Sequence, residues 1–179
     1  MTMHDIQYIE GNEELLDQIE PLWLKLSEHH QTVTKYFSYS FSPFTFQRRK
    51  AVLLNKVRGE FIKVDLAKDT DTGRIVGYCL STIVDTGIGK EGEVESIYIE
   101  PEYRNLLIGD RLMKNALEWM DGHKVTRKKV GVVYGNERVF AFYERYGFYP
   151  GATILNRVLT SFSHYVQSIT DGQRLGDYE

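Results

Sequence analysis

One cysteine, Cys79, stands in the 179-residue chain, so an internal disulfide and any multi-cysteine zinc site are excluded. It lies in the strand-like run "IVGYCLSTIV" with no histidine beside it, and reads as a packed core thiol rather than a nucleophile. There is no run of about 18 apolar residues and no apolar N-terminal leader. Neither a membrane span nor a signal peptide is therefore expected, and the expected compartment is the cytoplasm. Positive charge is also short: 22 Lys and Arg against 25 Asp and Glu leave a net charge of −3, so no nucleic-acid partner is expected. The basic triplets Arg48–Arg49–Lys50 and Arg127–Lys128–Lys129 sit among acids and read as solvated surface. A phosphate loop of the form G-x-x-x-x-G-K-[ST] is absent. "GIGKEG", residues 87 to 92, matches the dinucleotide pattern G-x-G-x-x-G letter for letter, but a strand follows it where that motif needs a helix. It reads as a hairpin turn.

What is present suits one α+β domain: 42% hydrophobic and 13% aromatic residues can bury a sizeable core. A brief strand at 6 to 9 precedes a helix capped by Asn12 and carrying Leu15, Leu16, Ile19, Leu22, Trp23 and Leu26, with a kink or a second helix expected at Pro21. Another helix is expected from Ser42–Pro43 to Gly59. "FIKVDLA", "RIVGYCLSTIV" and "EVESIYI" are strands with short turns, hence an antiparallel meander, and Ile62, Val64 and Leu66 share a face. The pattern then changes. Ile108, Leu112, Ala116 and Met120 recur at helical spacing in a helix opening near Arg104, and "KVGVVY" at 129 to 134 reads as a strand parallel to 93–99. Asn136 caps a short helix bearing Val139, Phe140 and Tyr143, and a last strand around "ATILNRVL" closes the sheet. The domain is expected to span residues 1–160, with a polar tail at 161–179.

A loop that enters a helix with exposed backbone N–H groups is a natural anion site, and the stretch from Arg104 to Asp110 has that form. Two motifs then carry a resemblance. Ile97-Tyr98-Ile99-Glu100-Pro101 followed by Arg104-Asn105-Leu106-Leu107-Ile108-Gly109 resembles the coenzyme loop [QR]-x-x-G-x-[GA] of the GCN5-related N-acetyltransferases, the GNAT superfamily. Asn136, Val139, Phe142, Tyr143, Gly147 and Phe148 resemble that family's later pattern N-x-x-A-x-x-[FL]-Y-x-x-x-G-F. Leu107 departs from it, standing where the family usually has its first glycine; its Cβ restricts the loop, although its N–H still donates.

The resemblance implies a three-layer α/β/α fold, with a mostly antiparallel mixed sheet and a splayed parallel strand pair that holds acetyl-CoA. It implies an N-acetyltransferase that moves the acetyl group to a primary amine by direct attack in a ternary complex, with no metal. The coenzyme would meet the backbone of Ile97, Tyr98 and Ile99, the loop of Arg104, Asn105, Leu106, Leu107, Ile108, Gly109 and Asp110, then Asn136 and Tyr143. Asn136 reads equally well as a cap alone. For the base the resemblance offers Glu95, nearer the acetyl group, and then Glu93; alternation sets both on the side of Ile97 and Ile99, and their proximity is expected to raise at least one pKa. Tyr143 falls at the family's general-acid position; packing alone is its plainer reading. The acceptor, a small-molecule or peptide amine, is expected at the connection of the first two helices, where six aromatics fall between Tyr36 and Phe46; these rings read equally well as cover for the sheet. His29 and His30 read as helix-end surface residues. A homodimer is compatible with the resemblance. The reading from another class is a non-catalytic acyl-CoA sensor or interaction module on the same fold, with Leu107 marking a degraded loop.

Overall fold

The computed structural model describes residues 5–38, 45–57 and 61–157. Strands β1 (Ile6–Gly11), β2 (Ile62–Asp69), β3 (Ile75–Asp85) and β4 (Lys90–Ile99) pair antiparallel in chain order, and β5 (Arg127–Val130) joins β4 in parallel. Alternation decides the faces. Ile62, Val64 and Leu66 pack with Tyr78 and Leu80 beneath helices α1 (Glu20–Val33) and α2 (Phe46–Lys56). Cys79, Ile83 and Val94 pack on the opposite face against Ile108, Leu112, Met113, Ala116 and Met120 of helix α3 (Ile108–Gly122). The result is three layers, α/β/α. Strand β3 is buried on both faces, as its unbroken apolar run predicts, and Cys79 is a fully buried core thiol. Every fourth residue of α3 from Ile108 to Met120 is fully buried, and the larger side chains Ile108, Leu112 and Met120 each contribute about 1.5–3 kcal/mol.

Local chemistry sets the helix ends. Asn12 Oδ1 accepts from the Glu14 N–H at 3.3 Å and opens a 3-10 helix, Glu13–Ile19. The break expected at Pro21 appears as a change of helix type: the proline sits in the first turn of α1, where its missing N–H costs nothing. Helix α2 begins at Phe46, capped by the Thr45 hydroxyl accepting from the Arg48 N–H at 3.2 Å, and ends at Lys56. The starts and stops expected at Ser42–Pro43 and Gly59 lie outside the described residues. The first half of "GIGKEG" is the hairpin turn between β3 and β4, closed at Asp85 and Lys90, and its second half begins β4.

Four expectations are corrected. Helix α3 starts at Ile108 rather than near Arg104, because Pro101–Tyr103 forms a separate 3-10 turn first. Strand β5 covers 127–130, and residues 131–134 leave the ladder. Residues 152–157 form no strand, with Ile154 and Leu155 exposed, so the described part of the expected last strand is not one. Finally, β4 carries a bulge. Leu80 pairs with Ser96 and Ser81 with Val94, which leaves Glu95 as the extra residue. The bulge resets the alternation: Val94 and Ile97 both pack on the α3 side, while Glu95 turns toward α2. Glu93 and Glu95 therefore do not share a face with Ile97 and Ile99.

One polar group is sealed into the α3 face. Asp65 is 1% exposed, and Lys63 Nζ stands 3.2 Å from its Oδ1, yet neither carboxyl oxygen has a hydrogen-bond partner among the described residues. Burial pushes this carboxyl up to about 6, against the pull of the Lys63 charge.

Candidate active site

The parallel ladder of β4 and β5 runs from Glu91–Arg127 to Val94–Val130 and then stops. Past that point the two chains part, and the edge of β4 from Ser96 to Ile99 has no partner on its β5 side among the described residues. At the end of that edge Ile99 lies against Gly109 at the start of α3, which also meets Phe142 of helix α4 (Phe140–Glu144), while segment 134–136 lies against α1.

At the start of α3, Leu107 holds φ 58° and ψ 15°, the left-handed conformation, with its side chain 70% exposed. A leucine therefore adopts the backbone geometry that a glycine takes readily, at a cost of about 1–2 kcal/mol. The first helical N–H groups, from Ile108 onward, have no earlier helical carbonyls to bond and face the loop. Gly109 is tightly packed: a Cβ there would lie 3.3 Å from Ile99 Cδ1 and 3.3 Å from Phe142 Cε2, so those side chains would have to give by a few tenths of an ångström. Asp110 accepts from the Tyr146 hydroxyl at 2.5 Å and pairs with Arg145 Nη1 at 3.0 Å, which fastens the chain after α4 to the start of α3 and offsets the carboxylate's charge there. Arg104 turns back on the strand, its Nε donating to the Ile99 carbonyl at 3.0 Å and its guanidinium 5.7 Å from the Tyr98 ring centre. Asn105 and Leu106 are exposed in the turn between them.

Asn136 is 7% exposed and makes no side-chain cap, so the capping role is corrected. Its Oδ1 instead accepts from Arg138 Nε at 3.3 Å, while Arg138 Nη2 donates to His29 Nε2 at 2.9 Å. That bond requires the lone pair on His29 Nε2, and the imidazole thus ties α1 to this segment. The adjoining Gly135, at φ 97°, passes so close to α1 that a Cβ would lie 2.2 Å from the Val33 carbonyl oxygen. Both histidines are half-buried, and burial lowers the His30 imidazole to about 4. Tyr143 packs edge-on to Phe142 and Phe148, and burial, with Cys79 nearby, pushes its phenol well above the ordinary tyrosine value. It is held as a protonated donor.

The two glutamates lie on the α2 side, in a chain of alternating charges. Arg127 and Lys129 meet Glu91 at 3.9 and 2.7 Å, and Lys129 stands 3.6 Å from Glu93. Lys56 Nζ donates to Glu93 Oε2 and Glu95 Oε1, both at 2.6 Å, and Arg49 Nη2 to Glu95 Oε2 at 2.7 Å. Thr82 Oγ1 donates to Glu95 Oε1 at 2.7 Å. Glu95, with its side chain 4% exposed, is the buried end. Burial alone would raise its carboxyl, but the hydrogen bonds from Lys56 and Thr82 and the charges of Arg49 and Lys56 outweigh it and hold the group below its ordinary value. The expected rise is thereby reversed at Glu95, because cations from another element face the carboxylates.

Arg49 and Lys129 are partners that the sequence reading left on the solvated surface, and Lys56 is one that it did not single out. Their signal was present: Arg49, Leu53 and Lys56 recur at i, i+4 and i+7, and Leu53 is 1% exposed, so all three face the sheet. Of the aromatic segment, Phe46 is core, edge-on to Trp23, whereas Tyr36 is exposed and stacks on exposed Tyr134 at 6.4 Å. Residues 39–44 lie outside the described residues. Among the described residues no helix is long and apolar enough to cross a membrane, and no group of three or more His, Cys, Asp or Glu is placed to hold a metal.

The same architecture recurs in solved structures. An acetyltransferase from Trypanosoma brucei is 21% identical with TM-score 0.61, covering 87% of this chain and 100% of its own. A GCN5-related N-acetyltransferase from Ralstonia eutropha JMP134 is 12% identical with TM-score 0.68, over 86% of this chain and 99% of its own. An aminoglycoside N-acetyltransferase crystallised with CoA is 12% identical with TM-score 0.62, over 89% and 97%. At these identities the likeness shows the fold alone. No curated protein matches the chain. The acetyltransferase (GNAT) family description matches residues 23–148, well over half of the chain, and carries both motifs; the chain belongs to that family.

Proposed function

We propose that this protein is an N-acetyltransferase that moves the acetyl group of acetyl-CoA to a primary amine, by direct attack within a ternary complex. The observation that carries the reading is the gap between β4 and β5, which opens beside the start of α3. A left-handed residue followed by free helical N–H groups is an anion cradle, and it fits a pyrophosphate. Leu107 is exposed, and its own N–H remains a donor like those that follow it.

In this reading the N–H groups from Leu107 to Asp110 hold the pyrophosphate, while the Leu106 N–H stays with the Tyr103 carbonyl at 3.3 Å. The free edge of β4 at Ile97 to Ile99 pairs with the pantetheine arm and donates to the thioester carbonyl as charge develops there. Asn136, its oxygen already fixed by Arg138, offers its amide N–H₂ to the same arm. The acceptor enters from the α2 side. Glu95 and Glu93 receive its ammonium and take a proton, directly or through water; at a pKa near ~10.4 only a small fraction of such an amine is free at neutral pH. Tyr143 gives its proton to the departing thiolate. A homologous structure that contains CoA supports the coenzyme assignment.

The experiment is thiol release from acetyl-CoA across a panel of primary amines. Amine-dependent release supports the reading; coenzyme binding with no release from any amine supports a sensor on the same fold.

A further inference from the structure

In the proposed reaction Glu93 and Glu95 receive the ammonium of the acceptor. In the folded chain an ammonium already stands there. Lys56 Nζ lies 2.6 Å from an oxygen of each, at the head of a side chain one-third exposed. Helix α2 holds it in place, because Leu53, one turn earlier on the same face, is anchored in the core. Glu95 does not depend on Lys56 alone for a cation, since Arg49 occupies its other oxygen and Thr82 shares the first. Glu95 is also the bulge residue, two positions before the free β4 edge at Ile97, about 7 Å along the strand. Lys129, the next amine in the charge chain, is one carboxylate further out and contacts Glu91 first.

We propose that Lys56 is an acetylation site of the protein itself, modified within the same chain by acetyl-CoA when no outside amine occupies the site. The inference rests on the acetyl-transfer reading above. The lysine ammonium first passes a proton to Glu93 or Glu95, and its freed nitrogen pair attacks the thioester carbon. The N–C bond forms and the C–S bond breaks. Of the two protons lost from nitrogen, one ends on the coenzyme thiol and the other in solvent, so lysine and acetyl-CoA become acetyl-lysine, free thiol and a proton. The product carries no charge, and the carboxylates then lose the cation that competes with an incoming amine. Self-modification thereby opens the acceptor site.

The test is to incubate the full chain with acetyl-CoA alone, follow its intact mass, and map the modified peptide, with a parallel thermal shift to report coenzyme binding. The expected result is one acetyl group per chain, on Lys56, gained at least about ten-fold faster than on Lys129 or Lys114. Its first-order rate is unchanged on ten-fold dilution of the protein, as an intramolecular step requires. Lys56→Arg removes the modification and keeps the coenzyme shift; Glu95→Gln slows it about ten-fold. A coenzyme shift with Lys56 unmodified, or modified no faster than Lys114, overturns this inference and leaves the acetyl-transfer reading standing. Absence of the shift overturns both.

Discussion

Arg49 Nη2 lies 2.7 Å from Glu95 Oε2, joining helix α2 to the bulge of strand β4. The contact fixes the charge of the buried carboxylate. Glu95 titrates below its ordinary value, so its stabilisation is present at neutral pH and is lost as pH falls through the folded value. Removing Arg49 leaves the burial cost with one cation fewer. Arg49→Met is therefore expected to shift the acidic limb of kcat/KM to higher pH. An unmoved limb would mean that Glu95 is not the group that sets it.

Tyr143 is held neutral by burial and sits beside Phe142, whose ring meets Gly109 at the start of α3. Tyr143→Phe keeps that packing and removes only the hydroxyl. Turnover should fall ten-fold or more, about 1.4 kcal/mol or more in barrier, with little change in KM for acetyl-CoA. Steady-state kinetics decide it: unchanged turnover would reduce the residue to packing.

Leu107 pays for a left-handed backbone without burying its side chain. Glycine there relieves about 1–2 kcal/mol of strain and returns about 0.5–1 kcal/mol in chain entropy. Leu107→Gly should therefore stabilise the fold by roughly 0.5–1 kcal/mol in denaturant unfolding. Because the wild-type backbone already has the required geometry, acetyl-CoA affinity should stay within about three-fold. A ten-fold gain in affinity would show instead that the leucine side chain obstructs the coenzyme.

Asp65 is a buried carboxyl with a raised pKa, and the sign runs opposite to Glu95. Its protonated form is favoured in the folded state, so this group costs nothing below its unfolded value and costs progressively more as pH rises to about 6. The limit is on the order of 3 kcal/mol. Asp65→Asn, with Lys63 still paired to Glu10 at 2.5 Å, should raise Tm more at pH 8 than at pH 4. Equal gains at both pH values would mean that the carboxyl is not titrating in that window.

The sheet was legible in the sequence because period-2 alternation and apolar runs dictate burial directly: β2, β3, β4 and the crossover through α3 all follow from it. So did the hairpin at Gly87–Gly92, where the wrong element follows a familiar pattern. The bulge at Glu95 was not legible, since it arises from the register between β3 and β4 and leaves no mark in either strand alone. The face of Glu95, its cationic partners and the direction of its pKa all depended on that register. The conformation of Leu107 was hidden for another reason. A leucine does not announce a left-handed backbone, and here only the surrounding loop imposes it. Asn136 does not cap its helix, because its neighbour Arg138 takes the oxygen that a cap would have used.

The most direct test of the central claim is a calorimetric titration of the purified chain with acetyl-CoA. The cradle at the start of α3, with Leu107 already in its left-handed conformation, predicts one site per chain with a dissociation constant in the micromolar range, roughly −8 kcal/mol. Absence of binding at millimolar coenzyme would contradict it, and with it the assignment of the gap between β4 and β5 as a coenzyme site.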